Sequence, residues 1–188
     1  MSISIRKATL EEAEDIAKIH VSSWQTTYKG IMDADFLKQL SVGKRTELWV
    51  KNIQREGDIV LVASLNGELI GFTCGSHVKE GEYEEYDGDV TSIYFYKDFQ
   101  GQGFGKLLMI RLFEEFMERG YQTAIVKVLE KNKACLFYEA LGAKLIDTQV
   151  IPIPGGEATL FTYAWDDIKP FRNEMSHEKN DPTNEVNV

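Results

Sequence analysis

Apolar residues recur along this chain with two periods, and the switches between them predict the order of elements. Residues 3–8 alternate apolar and polar positions, as a half-buried strand does. Thr9 then stands as an N-cap before Leu10, with Glu11 and Glu12 in the first helical turn. Ile16, Ile19 and His20 follow at helical spacing, which predicts a helix to about residue 23. Residues 24–30 read as a loop or broken helix. Short helices are predicted over 33–40 and 42–54, closed by Gly57. An apolar run at 59–64 reads as a buried strand, Asn66-Gly67 as a hairpin turn, and 69–78 as the partner strand. After a polar connection over 80–88, residues 89–96 form a fourth strand. An amphipathic helix over 104–119 ends at Gly120, a fifth strand covers 123–128, and a helix over 131–141 ends at Gly142. Two last strands, 144–151 and 157–165, are joined through Pro152, Pro154, Gly155 and Gly156. That connection is longer than a minimal hairpin and is expected to serve as a flap. There is no internal repeat.

The junction between the fourth strand and its helix carries the chemistry. The run Asp89-Val90-Thr91-Ser92-Ile93-Tyr94-Phe95 gives way to Gln100-Gly101-Gln102-Gly103-Phe104-Gly105-Lys106. Glycines at 101, 103 and 105 clear side chains from the backbone at the positive end of a helix dipole, where N–H groups can meet a phosphate. A nucleotide-triphosphate loop does not fit, because Gln100 stands where its first glycine belongs and Leu107 where its Ser or Thr belongs. A dinucleotide fold needs G-x-G-x-x-G and an acid at the end of the next strand. The glycines here run G-x-G-x-G, and residues 123–128 hold no acid.

The pattern Gln-x-x-Gly-x-Gly at Gln100, Gly103 and Gly105 resembles the pyrophosphate loop of the GCN5-related N-acetyltransferases. Downstream, Asn132, Ala134, Phe137, Tyr138 and Gly142 are similar to the second cofactor segment of that family, N-x-x-A-x-x-F-Y-x-x-x-G. The resemblance covers roughly residues 2–165. It implies the family's α/β (α+β) fold: a central, mostly antiparallel seven-stranded mixed sheet flanked by helices, splayed between strands 4 and 5. It also implies acetyl-CoA as cofactor, with its pantetheine arm in the splay. The strand residues Ile93, Tyr94 and Phe95 would border that arm, with the main chain of Ile93 and Phe95 bonding it. Gln100, Gly101, Gln102, Gly103, Phe104, Gly105 and Lys106 would cradle the pyrophosphate. Lys106 either adds charge attraction or is simply solvated. Asn132 either reaches the arm or caps its helix. Homodimerisation is a habit of the family.

Composition bounds the rest. The 188 residues suffice for one domain with a full core. Residues 1–167 are expected to form it and the polar stretch 168–188 a poorly ordered tail. No apolar run is long enough to span a bilayer and the N-terminus has no apolar signal core, so no membrane partner and a cytoplasmic location are expected. The net charge of −9 argues against nucleic acid and favours a cationic or amine partner, although acidic surfaces also serve solubility. His20, His77 and His177 lack metal-ligand spacing, and no metal is expected. Cys74 and Cys135 are expected as buried free thiols.

Acyl transfer from a thioester to an amine requires a base, an oxyanion donor and an acid for the departing thiolate. By resemblance, Tyr138 is the candidate acid, a phenol protonated at neutral pH. The alternative is a helix tyrosine that only packs its ring. Asp89 stands where many relatives carry a strand glutamate acting through water. Being shorter, it needs at least one bridging water; Glu85 and Asp87 are nearby alternatives, or all three merely attract a cation. The oxyanion donor would be the Ile93 N–H. Trp24 and Tyr28, four residues apart, would share a helix face and flank a small-molecule amine, or else be core aromatics. The implied activity is acetyl transfer to a primary amine of a small molecule (polyamine, amino acid or antibiotic type) by direct attack in a ternary complex. The alternatives are acetylation of a protein or peptide, and a non-catalytic acyl-CoA sensor.

Overall fold

The computed structural model describes residues 3–171. Seven strands form one sheet: β1 (Ile3–Lys7), β2 (Ile59–Leu65), β3 (Glu68–His77), β4 (Gly88–Phe95), β5 (Ala124–Leu129), β6 (Lys144–Ile153) and β7 (Gly156–Trp165). Their spatial order is β1-β2-β3-β4-β5-β7-β6. Neighbours run antiparallel except β4 and β5, which are parallel. The mixed sheet is therefore the expected one.

Helices cover both faces, which is why β2 is apolar along its length rather than alternating. On one face lie α1 (Ala13–Thr27) and α3 (Val42–Gln54), where Ile16, Ile19 and Trp49 close over Val60, Val62, Phe72 and Cys74. The short α2 (Ala34–Lys38) lies between them in sequence, capped by Asp33, whose carboxylate accepts from the Phe36 N–H at 2.8 Å. On the other face lie α4 (Phe104–Glu118) and α5 (Ala134–Ala140), where Phe113 and Phe116 are fully buried. Glu115 is buried with them, and Arg111 (2.7 Å) and Lys7 (2.8 Å) neutralise it.

Four expectations change. First, α1 runs on through Thr27 instead of breaking at residue 23, because Trp24 and Tyr28 continue the apolar stripe begun at His20. Second, β6 and β7 extend to Ile153 and Gly156, leaving a tight turn where a flap was expected. The turn is docked, with the Pro154 carbonyl accepting from the Asp33 N–H at 2.9 Å. Third, α5 begins at Ala134, not 131; Asn132 sits in the turn before it and its side chain accepts from the Ala134 N–H at 2.9 Å. Fourth, the boundary expected at 167 falls within the packed chain. Ile168 and Phe171 are buried, and Phe171 meets the Phe113 ring edge-on at 4.8 Å. The rest of the expected tail lies outside the described residues.

Candidate functional site

The site begins where β4 and β5 part. Their register runs Gly88↔Ala124, Asp89↔Ile125, Val90↔Val126 and stops, although both strands continue. A bulge helps to turn β4 away: Gly75 pairs with Val90 and Cys74 with Ser92, so Thr91 is an extra residue. Beyond it the Tyr96 N–H bonds the Ile70 carbonyl. Main-chain groups alternate sides along a strand, so Tyr94 and Tyr96 face β3, while Ile93 and Phe95 turn theirs into the gap. The Phe95 carbonyl is already engaged there, by Ser23 Oγ at 2.8 Å and Gln100 Nε2 at 3.1 Å.

The glycine loop stands at the mouth of this gap. Gly101 and Gly103 have φ of +73° and +86°, the left-handed region that side chains disfavour, and a Cβ on either would meet only open space. The Phe104 and Gly105 N–H groups, which follow Gly103, precede the first bonded turn of α4 and lie at its positive dipole end, whereas the Lys106 N–H donates to the Gly103 carbonyl at 3.1 Å. The glutamines brace the loop: Gln102 Nε2 donates to the Asp98 carbonyl at 2.7 Å, as Gln100 does to Phe95. Gly105 has a role that the spacing concealed. A Cβ there would lie 3.3 Å from the Phe137 ring, so this glycine lets α4 pack against α5. Phe104 stacks on Phe95 at 6.5 Å, and Lys106 is exposed in the first turn of α4.

Three phenols converge on the gap from three elements. Tyr138 comes from α5, Tyr94 from β4 and Tyr28 from the end of α1. The Tyr28 and Tyr94 hydroxyls bond at 3.2 Å. Burial raises the pKa of all three, and Tyr28 and Tyr138 each add repulsion against a phenolate on their neighbours. All three therefore hold their protons at neutral pH. Asn132 lies beside the Tyr28 hydroxyl and pulls its pKa back down. The Trp24 ring meets Tyr28 edge-on at 5.0 Å, and its buried Nε1 has no hydrogen-bond partner among the described residues.

Asp89 stands at the crotch of the gap, one position before the last register pair of β4 and β5. Burial pushes its carboxyl up to about 6, with Lys127 opposing and Glu82 adding to the rise. Asp87 is spent on structure, accepting from Gln122 N–H (2.7 Å), Thr123 N–H (3.2 Å) and the Thr123 hydroxyl (3.2 Å). Glu85 is exposed. Tyr138, Tyr28, Tyr94, Trp24 and Asn132 are thus brought together, with Asp89 further back along β4.

Sequence reasoning missed His20, which packs among them, and a cavity beside β5 with a lining of its own. His20 stacks on Tyr94 at 5.4 Å and accepts from Trp49 Nε1 at 3.1 Å, and burial lowers its pKa to about 4. Its place four residues before Trp24 was the available signal. Gly81, Glu82, Tyr83, Lys127, Asp147, Gln149 and Leu160 line a cavity of about 440 Å³, and no local pattern links them. Neither cysteine is poised as a nucleophile. Burial lifts Cys74 to about 11, and Cys135 Sγ donates to the Leu129 carbonyl at 3.5 Å. Among the described residues no cluster of His, Cys, Asp or Glu suits a metal, and no helix is long and apolar enough to cross a membrane.

The sheet is thus parted between two parallel strands, with the glycine-rich start of α4 on one side and the three phenols on the other. The chain belongs to the acetyltransferase (GNAT) family, whose model matches residues 13–143. An uncharacterised N-acetyltransferase of Bacillus subtilis, YuaI, is 29% identical over 93% of this chain and 99% of its own. The [ribosomal protein bS18]-alanine N-acetyltransferase of Haemophilus influenzae is 32% identical over 57% of this chain and 70% of its own. The PaiA N-acetyltransferase of Thermoplasma acidophilum, solved with coenzyme A, shares the fold. Its TM-score is 0.69 at 22% identity, covering 88% of this chain and 100% of that one.

Proposed function

We propose that the protein transfers the acetyl group of acetyl-CoA to a primary amine of a small molecule, by direct attack in a ternary complex. One observation carries the choice of a small acceptor. The β6–β7 turn is tied to Asp33 at the start of α2, and Trp24 and Tyr28 pack in one cluster with Leu37 of α2, Ile151 of β6 and Leu160 of β7, an arrangement that favours a small acceptor over a long chain laid across this side of the sheet. An internal lysine of a long chain needs a groove open at both ends, whereas a small amine does not.

The residues fit the cofactor. The glycine loop offers unobstructed N–H groups at a helix start, and Ile93 and Phe95 turn main-chain groups to a gap where β5 offers no register partner. Bound there, acetyl-CoA supplies the activated acyl group. The Ile93 N–H is the donor for negative charge developing in the gap. Asp89, with its carboxyl near 6, is ionised at neutral pH and takes the proton of the acceptor ammonium through water. Tyr138 Oη keeps its proton until a thiolate needs it, and the dry surroundings that raise its own pKa raise that of a thiolate as well.

The test is free-thiol release from acetyl-CoA against polyamines, amino acids, aminoglycosides and short peptides. Turnover confined to one class of small amine is expected. Turnover on peptides alone would move the assignment to a protein N-acetyltransferase. Tight cofactor binding with no turnover on any acceptor would favour a sensor.

A further inference from the structure

Lys127 is an odd residue for its place. It sits within β5 between the buried Val126 and Val128, with its side chain only 30% exposed. A lysine there needs partners to offset its desolvation. The β3–β4 connection supplies two: the Glu82 carboxylate pairs with Nζ, and the Tyr83 ring lies 5.4 Å from it. Tyr83 takes a left-handed φ of +46°. It is pinned by its hydroxyl to Asp147 (2.6 Å) and Thr162 (3.0 Å). Two long-range contacts thus hold one ammonium beside the cavity, on the face of β5 that carries Ile125, the register partner of Asp89.

We propose that Lys127 and Glu82 are positioning residues that set the charge state of Asp89 from opposite sides, with Lys127 keeping it ionised and Glu82 limiting how far. This rests on the reading of Asp89 as the base. The groups that act on Asp89 come from three elements. From β5 comes Lys127, which favours the carboxylate; from the β3–β4 connection comes Glu82, which disfavours it. From β3 comes the Cys74 thiol, whose own rise Asp89 increases and which is neutral throughout the working range. Glu82 is shared with Lys79 at 3.2 Å, so its pull on Lys127 is adjustable from the surface.

The prediction is a pair of opposite shifts. The acid limb of kcat/KM falls near pH 6 in the wild type. Removing the cation in Lys127→Met moves that limb up by about one pH unit, and Lys127→Arg restores it. Removing the anion in Glu82→Gln moves it down by about half a unit. Carbon-13 NMR of the Asp89 carboxyl, assigned by its loss in Asp89→Asn, reads the same shifts without turnover. Urea denaturation confirms that each variant is folded. Opposite shifts by both methods support the proposal. A wild-type limb near 6 that neither variant moves, or that both move in one direction, overturns it and leaves the base in place. NMR shifts of opposite sign with no matching change in the activity limb support the tuning and remove Asp89 from the base role.

Discussion

At the residue scale, the two candidate proton carriers differ in what burial does to them. Burial raises both pKa values, which keeps Tyr138 protonated and leaves Asp89 close to neutrality. Tyr138→Phe keeps the ring between Phe137 (5.4 Å) and Trp165 (6.1 Å) and deletes only the hydroxyl. It is expected to lower kcat about tenfold or more and to leave the KM for acetyl-CoA within about twofold. Steady-state kinetics with both substrates varied checks this, and an unchanged kcat removes Tyr138 from the mechanism. Asp89 also carries a stability signature. Its folded pKa is raised, so the fold binds the proton more tightly than the unfolded chain does. The carboxyl costs nothing below the unfolded value near 4, and stability is lost as pH rises through about 6. Asp89→Asn should therefore stabilise the protein by up to about 3 kcal/mol at pH 8 and by little at pH 4, as read by urea denaturation. Both were candidates in the sequence through the family resemblance, Tyr138 by its motif and Asp89 by its strand position. Lys127 and Glu82, which tune Asp89, were not, because they meet only across the finished sheet.

At the element scale, the sequence was most misleading where tertiary contacts override local preference. The stretch Trp24-Gln25-Thr26-Thr27 reads as a broken helix because its threonines are poor helix formers. Burial of Trp24 and Tyr28 against His20 and Tyr94 nevertheless carries α1 through it. Pro152 reads as a loop residue, yet it pairs with Glu157 inside β6, an edge strand where a missing N–H is tolerated. What looked like a long flap is thus a strand end with a small tip fixed on Asp33. Gly155 permits that contact: its φ is +96°, and a Cβ would lie 3.1–3.2 Å from Asp33 atoms. Gly155→Ala should push the tip off α2, raise the acceptor KM severalfold and leave the KM for acetyl-CoA unchanged. The donor side has its own such position. Gly105→Val should force α4 from the Phe137 ring and raise the KM for acetyl-CoA instead. Initial-rate kinetics on the two variants separate the walls of the site. If both variants disturb the same substrate, the walls do not divide the site in this way.

At the scale of the whole molecule, the fold class was legible because element order and two motifs constrain it, and the gap was expected only through the family resemblance, since strand pairing is a property that no local pattern reports. Parallel β4 and β5 share only the register from Gly88 to Val90, and the rest of β4 keeps one side of its main chain without a strand neighbour. Apart from the Phe95 carbonyl, which Ser23 and Gln100 engage, such an edge inside a sheet needs a ligand or water to meet it. A ligand that completes the ladder should stabilise the sheet as a unit, since it binds the folded chain alone. At one hundred times its dissociation constant, acetyl-CoA should add about 2.7 kcal/mol to the unfolding free energy. Hydrogen exchange should place the gain: the Ile93 and Phe95 amides slow on binding, whereas Tyr94, already paired to β3, changes little. Desulfo-coenzyme A, which lacks the thiol but keeps the arm and pyrophosphate, should protect the same two amides. Protection confined to the glycine loop, with Ile93 and Phe95 unaffected, would mean that the gap does not hold the arm.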